Sequence, residues 1–148
     1  MINISQSAIV PYSPLQMYGL VADVLSYPEF LPWCKSTTIV THKANEIVAS
    51  ISLSYRGIRK TFTTRNLQTP PDHIEIRLVD GPFSKLDGDW RFSSIGDEGC
   101  RIEFSIAFDF SNAVLRKVVG PVFKYISSNM VDAFCKRADS LYGGKAKN

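Results

Sequence analysis

His42 and His73 are the only imidazoles in the chain, and neither has the neighbours that acid–base chemistry requires. Both fall near strand ends among polar residues, where a solvent-facing ring is the expectation. No Ser–His–Asp order, GxSxG elbow, HExxH pair or EF-hand loop occurs. Asp87 and Asp89 stand two apart, which puts both carboxylates on one face of a strand. Alternation assigns them to the solvent side, where they serve solubility. Cys34 is the thiol to weigh as a nucleophile, but no histidine lies near it in sequence to take its proton. Cys34, Cys100 and Cys135 are odd in number and lack CxxC or Cys/His spacing. That argues against a disulfide framework or a zinc site and suits a reducing compartment. Gly143-Gly144-Lys145 lacks the spacing and the following Ser/Thr of a phosphate loop and reads as a helix stop. The expectation is a protein without catalytic residues, metal or catalytic cofactor.

The elements that hold these residues follow from hydrophobic period. Residues 111–142 read as one long amphipathic helix, with Ser111 or Asn112 as cap. Its apolar stripe runs through Leu115, Val118, Val119, Val122, Ile126, Met130, Ala133, Phe134, Ala138 and Leu141. Pro121 cannot donate a backbone bond and crowds the Lys117 carbonyl, so a kink is expected at Gly120-Pro121. Lys136 and Arg137 suit the C-terminal end of the dipole. At the other end of the chain, Ile2, Ile4, Ala8 and Val10 alternate as a strand. Ser13-Pro14 then caps a helix with Leu15, Met17, Tyr18, Val21, Ala22 and Val24 on its apolar face. A short helical turn over 26–31 stops at Pro32.

From Ser36 the period becomes two. Strands are expected over 38–41, 46–55, 58–67, 73–78, 85–92 and 100–110, separated by turn residues such as Arg56-Gly57 and Asp80-Gly81-Pro82. The last has the clearest alternation: Cys100, Ile102, Phe104, Ile106, Phe108 and Phe110 inside, Arg101, Glu103 and Asp109 outside. The simplest assembly is α+β: a strongly curved antiparallel sheet wrapped around the terminal helix, as one domain over 1–148 with its tail frayed from about 145.

Large side chains meet inside. Phe62, Trp90, Phe92, Phe104, Ile106 and Phe108 face Val122, Ile126, Met130 and Phe134, enclosing either a dry core or a cavity. Gly88 interrupts the Leu86–Trp90–Phe92 face, where glycine marks a bulge, a bend or a close approach. Gln6, Lys60 and Thr64 share the inward register, and buried polar groups need partners. A ligand or trapped water is one such partner.

Charge is uneven. Beyond Ser111 there are seven Lys/Arg, namely Arg116, Lys117, Lys124, Lys136, Arg137, Lys145 and Lys147, against Asp132 and Asp139. The first 110 residues carry ten basic and twelve acidic residues. A solvated helix face is the ordinary explanation, and contact with RNA or an anionic membrane surface the sharper one. The N-terminus lacks a signal-peptide pattern, and no apolar run approaches the ~20 residues of a membrane span. A cytoplasmic protein is expected, with transient peripheral contact at the inner membrane as an accompanying option.

Two segments carry a family resemblance. The first runs from Ser13-Pro14-Leu15-Gln16-Met17-Tyr18 through Asp23-Val24 to Tyr27-Pro28-Glu29-Phe30-Leu31-Pro32-Trp33-Cys34. The second runs from Met130-Val131-Asp132-Ala133-Phe134 to Arg137-Ala138-Asp139-Ser140-Leu141-Tyr142-Gly143. Together they resemble the coenzyme-Q-binding START-like family, also labelled polyketide cyclase/dehydrase, whose bacterial members include a RatA-type ribosome-association toxin branch. The resemblance implies a helix-grip fold around an apolar cavity. It further implies binding of ubiquinone or another polyprenyl lipid in support of respiration. For the toxin branch it implies binding to the large ribosomal subunit that blocks subunit association. The cyclase activity of distant relatives is not expected here, because its acid and base residues are not visible.

Two functions stand as expectations. One is non-enzymatic binding of a polyprenyl lipid in a pocket of roughly 300–1,000 Å³, lined by the residues above with Phe30 and Trp33 as rim or plug. The other is ribosome association through Arg116, Lys117, Lys124, Lys136 and Arg137.

Overall fold

A computed structural model describes residues 1–143, and among these residues there are seven strands, four α-helices and one 3₁₀ turn. The strands are β1 (Ile2–Val10), β2 (Cys34–Lys43), β3 (Glu46–Tyr55), β4 (Ile58–Thr69), β5 (His73–Asp80), β6 (Phe83–Ile95) and β7 (Gly99–Phe110). They form one antiparallel sheet in the order β1-β7-β6-β5-β4-β3-β2. From β2 onward each strand lies beside its sequence neighbour, as short hairpins dictate. β1 closes on β7 with Ile2 opposite Phe108. Register shifts at Cys34/Ser36, Ile39/Thr41, Thr63/Thr64 and Phe83/Lys85 are the bulges that bend the sheet.

Period two holds best where one face is covered. All six even positions of β7 from Cys100 to Phe110 are buried, whereas Arg101 and Glu103 are exposed. Asp109 is on the outer face as expected but only half exposed, because Arg116 and the N-terminal amine lie against it. β2 is longer than expected, starting at Cys34 and ending at Lys43. As an edge strand it is mostly exposed on both faces, so no apolar alternation advertises it.

Helix α1 (Pro14–Ala22) begins at a full capping box. Ser13 Oγ accepts the Gln16 N–H, and Gln16 Oε1 accepts the Ser13 N–H. Leu15 is exposed rather than on its apolar face, and Leu20 is buried instead. The short turn expected over 26–31 is a 3₁₀ helix at Val24–Glu29.

The long terminal helix is three helices: α2 (Ala113–Val118), α3 (Gly120–Ser128) and α4 (Met130–Tyr142). Asn112 caps α2, its Oδ1 accepting the Leu115 N–H. The break before α3 falls at the expected Gly120-Pro121 step. The second break, at Asn129, has another cause. Asn129 Nδ2 donates to the Tyr125 carbonyl, displacing the backbone bond that would continue the helix. Its own N–H turns to Ile126 instead. Gln6 of β1 donates to the freed Ser128 carbonyl. Turning the segment twice also rotates its stripe: Val118 and Leu141 are exposed, and Ser127 and Val131 are buried. Gly143 caps α4 with φ −65°, not in a left-handed conformation. Gly144, Lys145, Lys147 and the expected fraying lie outside the described residues.

The sheet curves around α3 and α4, with α1 against β6 and β7 at one end. Phe104, Phe108, Phe110, Phe134 and Ile126 are fully buried between the layers. Each such side chain contributes roughly 1.5–3 kcal/mol through burial. This is the helix-grip arrangement.

Candidate functional site

Between the sheet and α3–α4 the packing leaves a cavity of about 70 Å³. From the sheet it is lined by Ile51, Phe62, Thr64, Asn66, Ile76, Leu86, Trp90, Phe104 and Ile106. Phe123, Ile126, Ser127, Met130 and Phe134 line it from the helices, with Tyr27 and Trp33 from the segment between α1 and β2. Gly88 is a close approach: a Cβ there would come within 3.3 Å of Ile76 in the next strand. Trp90 anchors the wall, 4.4 Å from the Phe104 ring centroid and 5.2 Å from that of Phe134.

Of the expected cavity residues, Trp33, Phe62, Trp90, Phe104, Ile106, Ile126, Met130 and Phe134 come together here. Phe30, Phe92, Phe108 and Val122 do not. Phe92 packs against Tyr18 of α1, and Phe108 fills the aromatic cluster of Phe83, Phe110 and Phe123. They share the inward face but lie beyond the cavity along their strands. Val122 is half-buried on α3 and lines no part of it. Phe30 is outside, over α4, where its ring packs on Phe134 at 5.2 Å and carries the Arg137 guanidinium at 4.9 Å. Trp33 is therefore the plug, and Phe30 the rim.

Thr64, Asn66 and Ser127 are the buried polar residues among those described, and all three line the cavity. The Thr64 hydroxyl donates to Asn66 Oδ1 at 3.0 Å. Thr64 was legible through its register. Asn66 continues the same register two residues on, and Ser127 was hidden by the break at Asn129. Of the other inward polar residues, Gln6 is taken up by Ser128, and Lys60 is half-buried opposite the buried Leu53.

The lining can exchange hydrogen bonds but holds no carboxylate, imidazole or amine. The Tyr27 hydroxyl donates to the Val21 carbonyl, and burial raises its pKa, so it stays protonated. Burial likewise pushes the Cys34 thiol up to about 11, which leaves it a poor nucleophile near neutral pH. His73 departs from expectation, being half-buried with its Nε2 against Asp89 Oδ1 on the outer face. Among the described residues no three His, Cys, Asp or Glu side chains are grouped to hold a metal.

Size limits the cavity further. A water occupies about 30 Å³ of liquid, and an apolar cavity of about 150 Å³ takes a benzene. At about 70 Å³ this one is smaller than that benzene-sized cavity. Immediately outside, a groove of about 470 Å³ runs along α3–α4 past Phe30, Pro32 and Arg137. Trp33 and Ile126 line both spaces and form the partition between them. Ala133 lines the groove, not the cavity.

The five basic residues expected to form one surface do not act alike. Arg116 Nε is 3.0 Å from Asp109 Oδ1, and Lys136 Nζ is 3.1 Å from Asp132 Oδ2. Arg137 is largely buried between Phe30 and Glu29, with 3.0 Å to the Glu29 carboxylate. Lys117 and Lys124 are exposed, without an ion pair among the described residues. Two breaks in the helix also scatter what one straight helix would have aligned.

Comparison with known proteins places this geometry. A family model described as polyketide cyclase / dehydrase and lipid transport matches residues 10–135. The ribosome association toxin RatA of Escherichia coli (strain K12) is 47% identical over 143 residues, 97% of this chain and 90% of that protein. The mitochondrial coenzyme Q-binding protein COQ10 homolog B of Xenopus laevis is 28% identical over 146 residues, 96% of this chain and 60% of that protein. Among solved structures, the Zhui aromatase/cyclase from Streptomyces sp. R1128 superposes with a TM-score of 0.83 at 18% identity, covering 93% of each chain. That likeness is one of fold. No described helix is long and apolar enough to cross a membrane.

Proposed function

We propose that this chain, which belongs to the polyketide cyclase / dehydrase and lipid transport family, associates with the large ribosomal subunit and hinders subunit joining. The observation that carries this reading is the nearly full-length match, at 47% identity, to a protein named as a ribosome association toxin. The test is sedimentation of purified subunits with and without the protein. Comigration with the large subunit and a smaller joined-ribosome peak are expected. A protein that stays at the top of the gradient at low salt sinks the reading.

A second reading is binding of ubiquinone or another polyprenyl lipid. It is favoured by the three buried polar residues, all of which face the same small apolar space. A quinone carbonyl would accept from a Thr64, Asn66 or Ser127 donor, and its tail would need the partition at Trp33 and Ile126 to part. Mass spectrometry of lipid extracted from protein purified without detergent checks this. Absence of quinone, together with no uptake in vitro, counts against it.

A further inference from the structure

Between Asp109 and Asp132 the chain carries no carboxylate, although it carries Arg116, Lys117 and Lys124. This stretch holds α2 and α3. One side of it faces the core, where Val119, Phe123 and Ile126 are buried. A helix that only covers a core is polar on its opposite side. Here that side is apolar. Val114, Val118, Pro121 and Tyr125 recur along it at four- and three-residue spacing, and all four are exposed. Val114 is 71% exposed, Val118 49% and Tyr125 53%. Val119, between the two helices, keeps helical dihedrals (φ −88°, ψ −29°), so the stripe carries across from α2 to α3. None of the residues of α2 is buried, so packing against the core does not account for its valines. Local stability does not account for them either, since β-branched residues are poor helix formers. Single exposed apolar residues are ordinary, whereas a contiguous stripe marks a contact.

Cations border the stripe. Lys117 and Lys124 are two turns apart and share one flank of it. Neither has an ion pair among the described residues, whereas Arg116 is tied to Asp109. At the far end, Tyr55 of the β3–β4 hairpin stacks on Tyr125, with centroids 5.7 Å apart and planes 12° apart. The guanidinium of the exposed Arg56 lies 5.2 Å over the Tyr55 ring, and it too has no ion pair among the described residues.

We propose that the exposed face of α2 and α3 docks on an anionic lipid surface. Val114, Val118, Pro121 and Tyr125 enter the headgroup region, and Lys117, Lys124 and Arg56 meet lipid phosphates. Apolar side chains flanked by lysine, with tyrosine at the edge, match the boundary between water and acyl chains. Cations without carboxylate partners lose nothing when they turn to that surface. RNA would satisfy the same cations but leave the valines against phosphate and ribose, where they gain nothing. A second copy of the chain would bring the same cations, and no carboxylate of these helices, from the other side. The inference goes beyond both readings of function given above and depends on neither.

The test is co-sedimentation of the full chain with vesicles of phosphatidylcholine and phosphatidylglycerol in equal parts, and with phosphatidylcholine alone. Pelleting with the anionic vesicles is expected, weakening as salt rises from about 0.01 to about 0.1 M. A basic side chain at such a surface contributes about fivefold to partition, so Lys117→Gln/Lys124→Gln should lose about 30-fold. Val114→Ser/Val118→Ser should lose about tenfold or more and keep its salt dependence. Both pairs replace exposed side chains, so their urea midpoints should match wild type. Arg101→Gln removes an exposed cation from the outer face of β7 and should bind as wild type does. No pelleting at low salt overturns the proposal. Wild-type partition in either pair does the same, because the contact needs both the stripe and its cations. A loss in Arg101→Gln as large as in the lysine pair also overturns it, since overall charge and not this face would then be responsible. Binding of a single-stranded RNA that the lysine pair loses and the valine pair keeps, without vesicle binding, would assign the face to nucleic acid. A dimer in sedimentation equilibrium that the valine pair abolishes, again without vesicle binding, would assign it to a second copy. Either result overturns the lipid surface as its partner.

Discussion

The Thr64–Asn66 pair allows a test of whether the cavity's polar wall is self-contained. Both residues are buried, and the Thr64 hydroxyl donates to Asn66 Oδ1 at 3.0 Å. Thr64→Val keeps the shape but leaves Asn66 Oδ1 without its donor. Stranding a buried acceptor costs about 1–3 kcal/mol. Asn66→Leu strands the Thr64 hydroxyl at a similar cost. Replacing both groups removes donor and acceptor together, which is close to neutral when shape is kept. The double variant should therefore be less destabilised than either single one, with a coupling energy close to the sum of the two single losses, about 2–6 kcal/mol. With a urea slope of about 2 kcal/mol per M, a single variant losing 2 kcal/mol shifts its midpoint by about 1 M. Urea unfolding of all four proteins, followed by tryptophan fluorescence, measures the cycle. Additive losses would refute the reasoning. They would mean that each group bonds to a separate partner within the cavity, such as a bound water.

Asp109 is held below the ordinary carboxylate range, first by the Phe110 N–H and then by Arg116. A depressed folded-state pKa stabilises above the unfolded value and ceases to do so as pH falls through the folded one. The Tm gap between wild type and Asp109→Asn should thus be constant near neutrality and close below about pH 4. Cys34, with its thiol at about 11, should alkylate slowly with iodoacetamide at pH 8 and speed up in urea. Gln6→Leu leaves the Ser128 carbonyl at the α3–α4 break without its side-chain donor, so about 1–3 kcal/mol should be lost in urea unfolding.

Legibility from sequence followed the range of the forces involved. β7 was readable because every second residue from Cys100 to Phe110 is apolar and buried, so period alone sets its face. β2 was under-read because an edge strand with both faces wet leaves no such trace. Pro121 announced the first helix break, since a missing N–H is a property of one residue. The break at Asn129 depends on a side-chain bond to Tyr125 and on Gln6 from a strand 122 residues away, so helical period passed over it. Parity placed Phe92 and Phe108 correctly on the inner face. It could not say that α1 and the Phe83 cluster, rather than the cavity, meet them. Arg137 read as surface charge because nothing local reveals Glu29, 108 residues earlier, as its partner.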